Sequence, residues 1–288
     1  MADSLISSPT DANERVVFET SKRSPWCLDD FLFLSKRFSS AASSVSVVTE
    51  RRSGEQYAMK RIKKSKVLRY HLVKQVEREL SIHQNLSHRN IVSVYAWFHD
   101  RDSIFMVLEK GEASLADLLV HKYPCGMAEK MVKRVCMSVL NGLVYLHWLN
   151  IIHRDLKPSN MLLVEKGGKY VVKIGDFGCA VHTTPEALRR TVCGSSPYMA
   201  PEIVEGVAGY SFGVDIWSFG VSVHELLSGS LPFDGQTPME VYRKIVKDAY
   251  MSPEGTGGFF QSLLSACMQK DVTKRSTSVD LRRNFFAN

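Results

Sequence analysis

The chain has 288 residues, a formal net charge of +7 at pH 7 and an ordinary globular composition. This length suits one large or two smaller compact units with a buried core, and the modest basic excess favours anionic partners such as phosphates or acidic proteins without implying nucleic acid. Neither a basic-then-apolar N-terminus nor an apolar run of 18 residues is present, so we expect a soluble intracellular protein with no membrane partner.

The first part of the chain is predicted to be β-rich. Residues 1–25 carry Ser, Thr, Asp and Pro with little periodicity, so a disordered tail is expected there. Structure is expected from Trp26, where strands surround one helical segment, 71–86, whose apolar residues approximate one face. The predicted strands lie within 44–48, 57–62, 91–98 and 103–108.

Beyond Gly111 the pattern becomes helical. Apolar residues recur at helical spacing over 127–147, and 211–227 is a second, buried candidate helix. Glu109, Lys110 and Gly111 form the natural hinge, because glycine permits the bend. The sequence therefore predicts the α+β class, with a small β-rich part at 26–110 and a larger, mainly helical part at 111–288.

The cysteines are scattered, at Cys27, Cys125, Cys136, Cys179, Cys193 and Cys267. They show neither a Cys-x-x-Cys pair nor Cys/His ligand spacing, so we expect no zinc site, no disulfide framework and a reducing compartment. Cys193 alone is a candidate redox-sensitive thiol, although most exposed cysteines are not redox-sensitive.

Several short motifs follow one another along the chain. The second part contains HRDLKPSN at 153–160, DFG at 176–178 and APE at 200–202, and Asp176 lies 21 residues after Asp155. The first part contains YAMK at 57–60, with Glu79 placed 19 residues after Lys60 in the predicted helix. In this order and spacing the motifs resemble those of the protein kinase family, so the two parts are expected to be the lobes of that two-lobe fold.

The resemblance implies phosphoryl transfer from ATP with Mg²⁺. Asp155 is then the catalytic base, Lys157 neutralises charge on the transferred phosphate, and Asn160 and Asp176 are the magnesium ligands. His153, like Phe177, is expected to pack rather than carry a proton.

In the first lobe, Lys60 is expected to meet the ATP phosphates while paired with Glu79. Leu108 is expected to be the gatekeeper, and the hinge residues Glu109 and Lys110 are expected to present backbone groups to adenine. The residues expected around the nucleotide are Val45, Ala58, Leu108, Glu109 and Lys110.

Other positions indicate the serine/threonine class and its structural supports. Lys157 stands two residues after Asp155, and Ser195 is expected to lie against that aspartate. Glu202 should pair with Arg275, and Asp215 should accept backbone N–H groups of the 153–160 loop. Protein substrates are therefore expected.

At subfamily level the chain resembles Aurora kinases over residues 26–288. The carrying stretches are WCLDDF at 26–31 with its spacing to Val45 and Lys60, REL at 78–80 followed by His83, and AVH at 180–182 leading to RRTVCG at 189–194. Cys179 departs from the Aurora pattern, in which a Trp typically follows the glycine of the DFG motif. Polo-like and calcium/calmodulin-type kinases also fit the general motifs.

The Aurora resemblance implies regulation and a cellular role. Thr191 would be the activation-loop phosphosite, with Arg154, Arg78 and Arg189 around the phosphate, which adds nearly two negative charges. The alternative is an ordinary exposed threonine. A role in mitosis and chromosome segregation, a helical activator docking on the first lobe, and a nuclear or cytoplasmic location at spindle or chromosomes are further implications.

The phosphate-covering loop departs from the family. Its glycines should stand at Phe38, Ser40 and Ser43, where this chain has none. Any of these positions that requires a positive φ would be strained by roughly 1–3 kcal/mol. The alternatives are a pseudokinase or scaffold that binds partners without ATP turnover, and a kinase of small molecules or lipids, which the long activation loop disfavours.

Overall fold

The computed structural model describes residues 26–39, 42–184, 188–206 and 209–287, with side chains for all of them except 36–38. The predicted tail at 1–25 lies outside these residues. The chain divides into two compact units: unit 1 contains 26–86 and 93–110, and unit 2 contains 87–92 and 111–287. The division between 110 and 111 falls at the predicted hinge.

Unit 1 is built on an antiparallel sheet in the order β1-β2-β3-β5-β4. Its strands are β1 (Phe31–Ser39), β2 (Ser43–Glu50), β3 (Gln56–Lys63), β4 (Val94–His99) and β5 (Ser103–Leu108). Helices α1 (Lys64–Arg69) and α2 (Val73–His83) follow β3. The α2 residues Val76 and Leu80 pack with Ile104 and Met106 of β5, so the predicted apolar face of this helix covers the sheet.

Two features of unit 1 differ from the sequence prediction. Strand β4 begins at Val94 and not at Ile91, because Ile91 pairs in a parallel bridge with Ile174 in unit 2. Segment 87–92 therefore belongs to unit 2 and not, as predicted, to the first part. Strand β1 and helix α1 were not predicted: β1 exposes three successive apolar residues, and α1 lies in a run of lysines, so neither shows a clear periodicity.

Unit 2 combines a helical core with two small antiparallel sheets, β6-β8-β9 and β10-β7. Its strands are β6 (Ala113–Ser114), β7 (Ile151–Ile152), β8 (Met161–Lys166), β9 (Lys169–Ile174) and β10 (Val181–His182). Its helices are α3 (Leu115–His121), α4 (Glu129–Trp148), α5 (Pro201–Glu205), α6 (Gly213–Ser228), α7 (Pro238–Lys247), α8 (Gly258–Cys267) and α9 (Ser278–Phe286).

The two helices predicted in this part, α4 and α6, form the core of unit 2. Helix α6 is buried almost all round, as its continuous apolar composition predicts, and packs on α8 and α4. It ends at Gly229, whose φ of 74° terminates the helix in the left-handed region. The predicted α+β class is confirmed, and among the described residues no helix has the length and apolarity needed to span a bilayer.

Candidate active site

The loop at 153–160 holds Asp155 in a network of hydrogen bonds within unit 2. Its Oδ1 accepts from the backbone N–H and the hydroxyl of Ser195, each at 2.9 Å. Its Oδ2 lies 2.9 Å from Lys157 Nζ and accepts from Asn160 Nδ2 at 3.2 Å. Lys157 Nζ also donates to Ser195 Oγ at 2.5 Å. A carboxylate, a cation and a hydroxyl from two distant segments thus converge, and the predicted position of Ser195 against Asp155 is confirmed.

Asp215, in the first turn of α6, anchors the 153–160 loop through hydrogen bonds to its backbone. Its buried carboxylate accepts the backbone N–H groups of His153 and Arg154, at 2.9 and 2.8 Å, and His147 Nε2 at 3.0 Å. Burial alone would raise the pKa of Asp215, but the hydrogen bond and charge of His147, the charge of His153 and the Arg154 N–H together lower it below its usual value. The predicted contact between Asp215 and the loop backbone is confirmed.

The backbone of the loop is strained where it turns. Arg154 has a φ of 67° and Asp176 a φ of 57°, and each costs of order 1–3 kcal/mol for a residue with a side chain. The two Asp215 bonds hold Arg154 in this conformation. His153 Nε2 lies 3.1 Å from the Gly175 carbonyl, and its ring packs edge-on against Phe177 at 5.0 Å. The contacts of His153 and Phe177 are those of the packing elements that the sequence predicted.

The β8–β9 hairpin brings Asn160 and Asp176 to one end. Met161 pairs with Ile174, so Asn160 directly precedes the first strand and Asp176 follows the second. The Gly175 N–H donates to the Asn160 carbonyl at 2.8 Å, which closes this end. Asn160 Nδ2 also donates to the Asp155 carbonyl at 2.8 Å, so the orientation of its amide is fixed.

Thr191 lies beside Arg154, as predicted. Arg154 donates from NH1 to Thr191 Oγ1 at 2.8 Å and to the Tyr210 hydroxyl at 2.8 Å, and Tyr210 donates to the Thr191 carbonyl at 2.6 Å. Tyr210 was not singled out from the sequence, because a lone tyrosine 19 residues downstream carries no local signal.

Of the other two predicted phosphate ligands, Arg189 makes a different contact and Arg78 lies in the other unit. Arg189 NH2 donates to the His182 carbonyl, and the backbone of Arg189 bridges to Tyr210. Arg78 lies on α2 of unit 1. Among these guanidinium groups, Arg154 is therefore the one whose contact with Thr191 is established.

An ion pair fixes the segment after Thr191. Arg275 NH1 and NH2 donate to the two oxygens of Glu202 at 2.6 and 3.0 Å. Arg275 NH1 also donates to the Gly213 carbonyl at 2.9 Å, and its guanidinium lies over Trp217, 5.3 Å from the ring centroid. This bidentate, buried pair ties α5 to α6, and the predicted Glu202–Arg275 contact is confirmed.

Unit 1 supplies the predicted lysine and glutamate pair. Lys60 Nζ lies 2.6 Å from Glu79 Oε1, and the two side chains are only 13% and 6% exposed. The sheet register places Val45 opposite Lys60 and Ala58 opposite Leu108, so these four residues are neighbours across three strands. The buried pair fixes where the ammonium group stands.

The predicted hinge residues Glu109 and Lys110 are the last two residues of unit 1. Glu109 is buried; its N–H donates to the Ser93 carbonyl at 2.9 Å, and its Oε2 accepts from the Ser93 N–H at 3.1 Å. The N–H of Glu109 is thus already used within unit 1. Lys110 follows it as the last residue of this unit.

The glycine-free loop joins β1 to β2. Phe38 pairs with Val45 and Ser39 with Ser44, and Ser43 begins β2 opposite Ile62. No non-glycine residue described in this loop has a positive φ. The strain considered for Phe38 and Ser43 is therefore absent, and Ser40 lies outside the described residues.

One expectation from the cysteine pattern was wrong. Cys179 and Cys193 form a disulfide, with their Cα atoms 6.2 Å apart. Their separation of 14 residues carried no motif. The folded loop brings them together, because Cys179 follows the strained turn at Asp176 and Cys193 precedes the close approach of Gly194 to Arg154.

Residues 39–286 match the family described as "Protein kinase domain". The chain is 34% identical over 242 residues to an Aurora kinase of Schizosaccharomyces pombe, covering 83% of this chain and 66% of the relative. It is 36% identical over 223 residues to a probable cell cycle serine/threonine-protein kinase CDC5 homolog of Encephalitozoon cuniculi, and 34% identical over 241 residues to the serine/threonine-protein kinase PLK1 of Xenopus laevis. These two matches cover 77% and 83% of this chain but only 46% and 39% of the relatives. Aurora and Polo-type relatives are thus similar to the chain at overlapping identities.

Proposed function

From the premise that this chain belongs to the protein kinase family, we propose that it transfers the γ-phosphoryl group of ATP to serine or threonine hydroxyls of protein substrates. The observation that carries the proposal is the convergence of Lys157, Asn160 and Ser195 on the Asp155 carboxylate. A carboxylate held this way can accept a proton from an incoming hydroxyl while a cation stands beside it.

Asp155, Lys157 and Ser195 of unit 2 have distinct roles in this reaction. Asp155 orients the substrate hydroxyl and accepts its proton. Lys157, 2.9 Å from Asp155, neutralises charge that builds up on the phosphoryl oxygens. Ser195 holds both side chains in one geometry, since it contacts both of them. Positioning and electrostatic stabilisation account for most of the catalysis of this reaction.

The pair Asn160 and Asp176 fits a magnesium ion. An amide oxygen and a carboxylate are hard oxygen ligands, and Mg²⁺ is usually bound by one or two such protein groups together with phosphates and water. The hairpin end places both residues side by side, and the Asn160 amide nitrogen is engaged with Asp155, which leaves the amide oxygen as the ligand atom. When bound, Mg²⁺ would neutralise phosphate charge.

Unit 1 supplies the nucleotide contacts. Lys60, held by Glu79, meets the phosphates with a cation whose position is fixed. Val45 pairs with Lys60 and Leu108 with Ala58 in the same sheet, and we assign Val45, Ala58 and Leu108 to the adenine. The backbone of Glu109 and Lys110 completes this contact.

Thr191 is proposed as the regulatory phosphosite. Its hydroxyl already accepts from Arg154, whose backbone is fixed by Asp215 and whose side chain also contacts Tyr210. A phosphate on Thr191 would strengthen this contact into a charge-assisted one. We further assign Arg78 and Arg189 to that phosphate, as the resemblance implies.

The cellular role is proposed from the relatives. One relative is named as a cell cycle kinase and others as Aurora or Polo-type kinases, at 32–36% identity. The chain spans 36–46% of the length of the Polo-type relatives. We propose a cell-cycle role of the Aurora type in chromosome segregation, at the spindle or chromosomes of nucleus and cytoplasm, with a helical activator protein docking on unit 1.

Phosphate transfer from Mg-ATP to a basic protein substrate tests the proposal, with wild type compared to Asp176→Asn. We expect the variant to lose at least about a hundredfold of the activity. Asp234→Asn, at an exposed aspartate of the α6–α7 connection, is the matched control and should retain it. Equal activity in wild type and Asp176→Asn, or no transfer by any form after phosphorylation of Thr191, would contradict a kinase and favour the scaffold alternative.

A further inference from the structure

Cys179 and Cys193 join two segments that both touch Arg154. Cys179 comes directly after the 176–178 turn, and its carbonyl accepts from Arg154 Nε at 2.6 Å. Cys193 lies two residues after Thr191, whose hydroxyl accepts from Arg154 NH1 at 2.8 Å. The disulfide therefore closes a ring of chain, and one guanidinium group contacts this ring near both cysteines.

We propose that this pair is a reversible redox-modification site, a latch that holds residue Thr191 on Arg154 without a phosphate. The disulfide limits the conformations open to the loop between the two cysteines, as a cross-link does in any flexible segment. With the bond closed, Thr191 lies on Arg154 and Ser195 lies on Asp155. The oxidised chain thus keeps the arrangement that phosphorylation of Thr191 would otherwise stabilise, an inference that rests on the proposed function.

The geometry distinguishes this pair from the other cysteines. Cys136 and Cys267 are buried, and burial raises the pKa of both thiols, so they are poor targets for oxidants. Cys27 and Cys125 are exposed and free. Cys179 and Cys193 are both partly exposed and already within bonding distance, so an oxidant can reach one and the other can resolve it.

The chemistry needs an external two-electron oxidant, and a peroxide supplies it. One thiolate attacks a peroxide oxygen and becomes a sulfenic acid as the O–O bond breaks; the hydroxide that leaves takes up a proton from solvent to form water. The second thiolate then attacks the sulfenic sulfur, which forms the S–S bond and breaks the S–O bond; the hydroxide released takes up a proton to form a second water. Two electrons pass from the two sulfurs to one peroxide. A dithiol reverses the step by thiol–disulfide exchange.

The first readout of the test does not depend on activity. Protein freed of phosphate with a phosphatase is treated with hydrogen peroxide or with dithiothreitol, and trypsin cleavage after Arg190, an exposed residue inside the ring, is followed by mass spectrometry. We expect cleavage to be about tenfold slower in the oxidised wild type than in the reduced form. Cys179→Ser and Cys193→Ser should lose the difference, whereas Cys27→Ser and Cys125→Ser should keep it.

The second readout is phosphate transfer by the same samples. Without phosphate on Thr191, the oxidised wild type should be at least about fivefold more active than the reduced form, and phosphorylation should remove this difference. Equal cleavage rates, absence of the disulfide after peroxide, or lower activity on oxidation would overturn the latch. Slower cleavage with no transfer in any form would retain the loop closure and overturn the proposed kinase instead.

Discussion

The candidate residues of unit 2 and those of unit 1 are positioned by different means. In unit 2, Asp155 accepts a hydrogen bond from Ser195, 40 residues away in sequence, and Asp215 anchors the loop through His153, 62 residues away. Arg154 and Asp176 both have a strained, positive φ. In unit 1, Lys60 and its neighbours are placed by the register of three strands and by one buried glutamate. In a network of long-range polar contacts, a change at one residue also displaces its hydrogen-bond partners. The pairing of strands in a sheet depends on backbone hydrogen bonds, so it is less sensitive to a change of one side chain. Substitutions should therefore cost more in unit 2.

The largest effect is expected at Gly194, where the network is packed most closely. Gly194 has a φ of 109°, and a Cβ there would lie 2.4 Å from the Arg154 carbonyl oxygen. Gly194→Ala should displace Ser195 from Asp155 and lower kcat for a protein substrate by about a hundredfold or more. Gly54→Ala in unit 1, at a φ of 73° with nothing within 4 Å, is the matched control for backbone strain alone. Equal kcat values for the two variants would show that strain, and not the close approach, matters.

Thr191→Ala should lower activity by more than about tenfold when measured under reducing conditions, because Arg154 loses the group that phosphorylation would charge. Thr191→Ser keeps both the hydrogen bond and the phosphorylatable hydroxyl, so its activity should stay near wild type. If Thr191→Ala has full activity in the reduced state, Thr191 is an ordinary exposed threonine.

In unit 1, Glu79→Gln tests the charged contact between Glu79 and Lys60. The variant leaves Lys60 Nζ without its carboxylate at 2.6 Å, and we expect the KM for ATP to rise about tenfold, which corresponds to roughly 1.4 kcal/mol. Glu77→Gln, on the same helix and half-buried, should leave the KM unchanged. A fall in kcat with an unchanged KM would show that the pair acts on the chemical step and not on nucleotide binding.

The pH dependence of stability should report the Asp215 anchor. The pKa of Asp215 is lowered in the folded state, so its contribution to the free energy of unfolding is present above the unfolded value near 3.8 and is lost as pH falls through the folded pKa. Asp215→Asn should be less stable at pH 7 and should lose less stability than wild type on acidification below about pH 4. Urea unfolding at several pH values measures this, with Asp234→Asn as the control. Parallel pH curves for wild type and Asp215→Asn would contradict the anchor.

The smallest effect is expected where the family glycines are missing. Ser43 begins β2 with strand pairing to Ile62, and a glycine there relieves no positive φ. Ser43→Gly should change the KM for ATP by less than about twofold and should lower stability by about 0.5–1 kcal/mol, the usual penalty of glycine in a strand. A tenfold fall in KM would show that this loop is strained when nucleotide binds.

Local patterns predicted some elements and missed others for identifiable reasons. Helices α4 and α6 and strands β2, β3 and β5 were predicted because their residues alternate or recur along one element. Strand β1 was missed because Leu32, Phe33 and Leu34 are all exposed, which breaks the alternation of a half-buried strand. The start of β4 was misplaced because Ile91 pairs with Ile174, 83 residues further along the chain, and no local pattern reports so distant a partner.

The sequence by itself determined the family, the α+β class and the identities of the candidate site residues, since motifs with fixed spacing are written in the order of the chain. The tertiary structure decided which side chains meet: Ser195 with Asp155, Tyr210 with Thr191, and Cys179 with Cys193. These contacts join residues 14 to 40 positions apart, through loops whose lengths carry no periodicity. The anchoring of the loop by Asp215 of α6, the turns with positive φ at Arg154 and Asp176, and the close approach of Gly194 to Arg154 bring them within hydrogen-bonding or covalent distance.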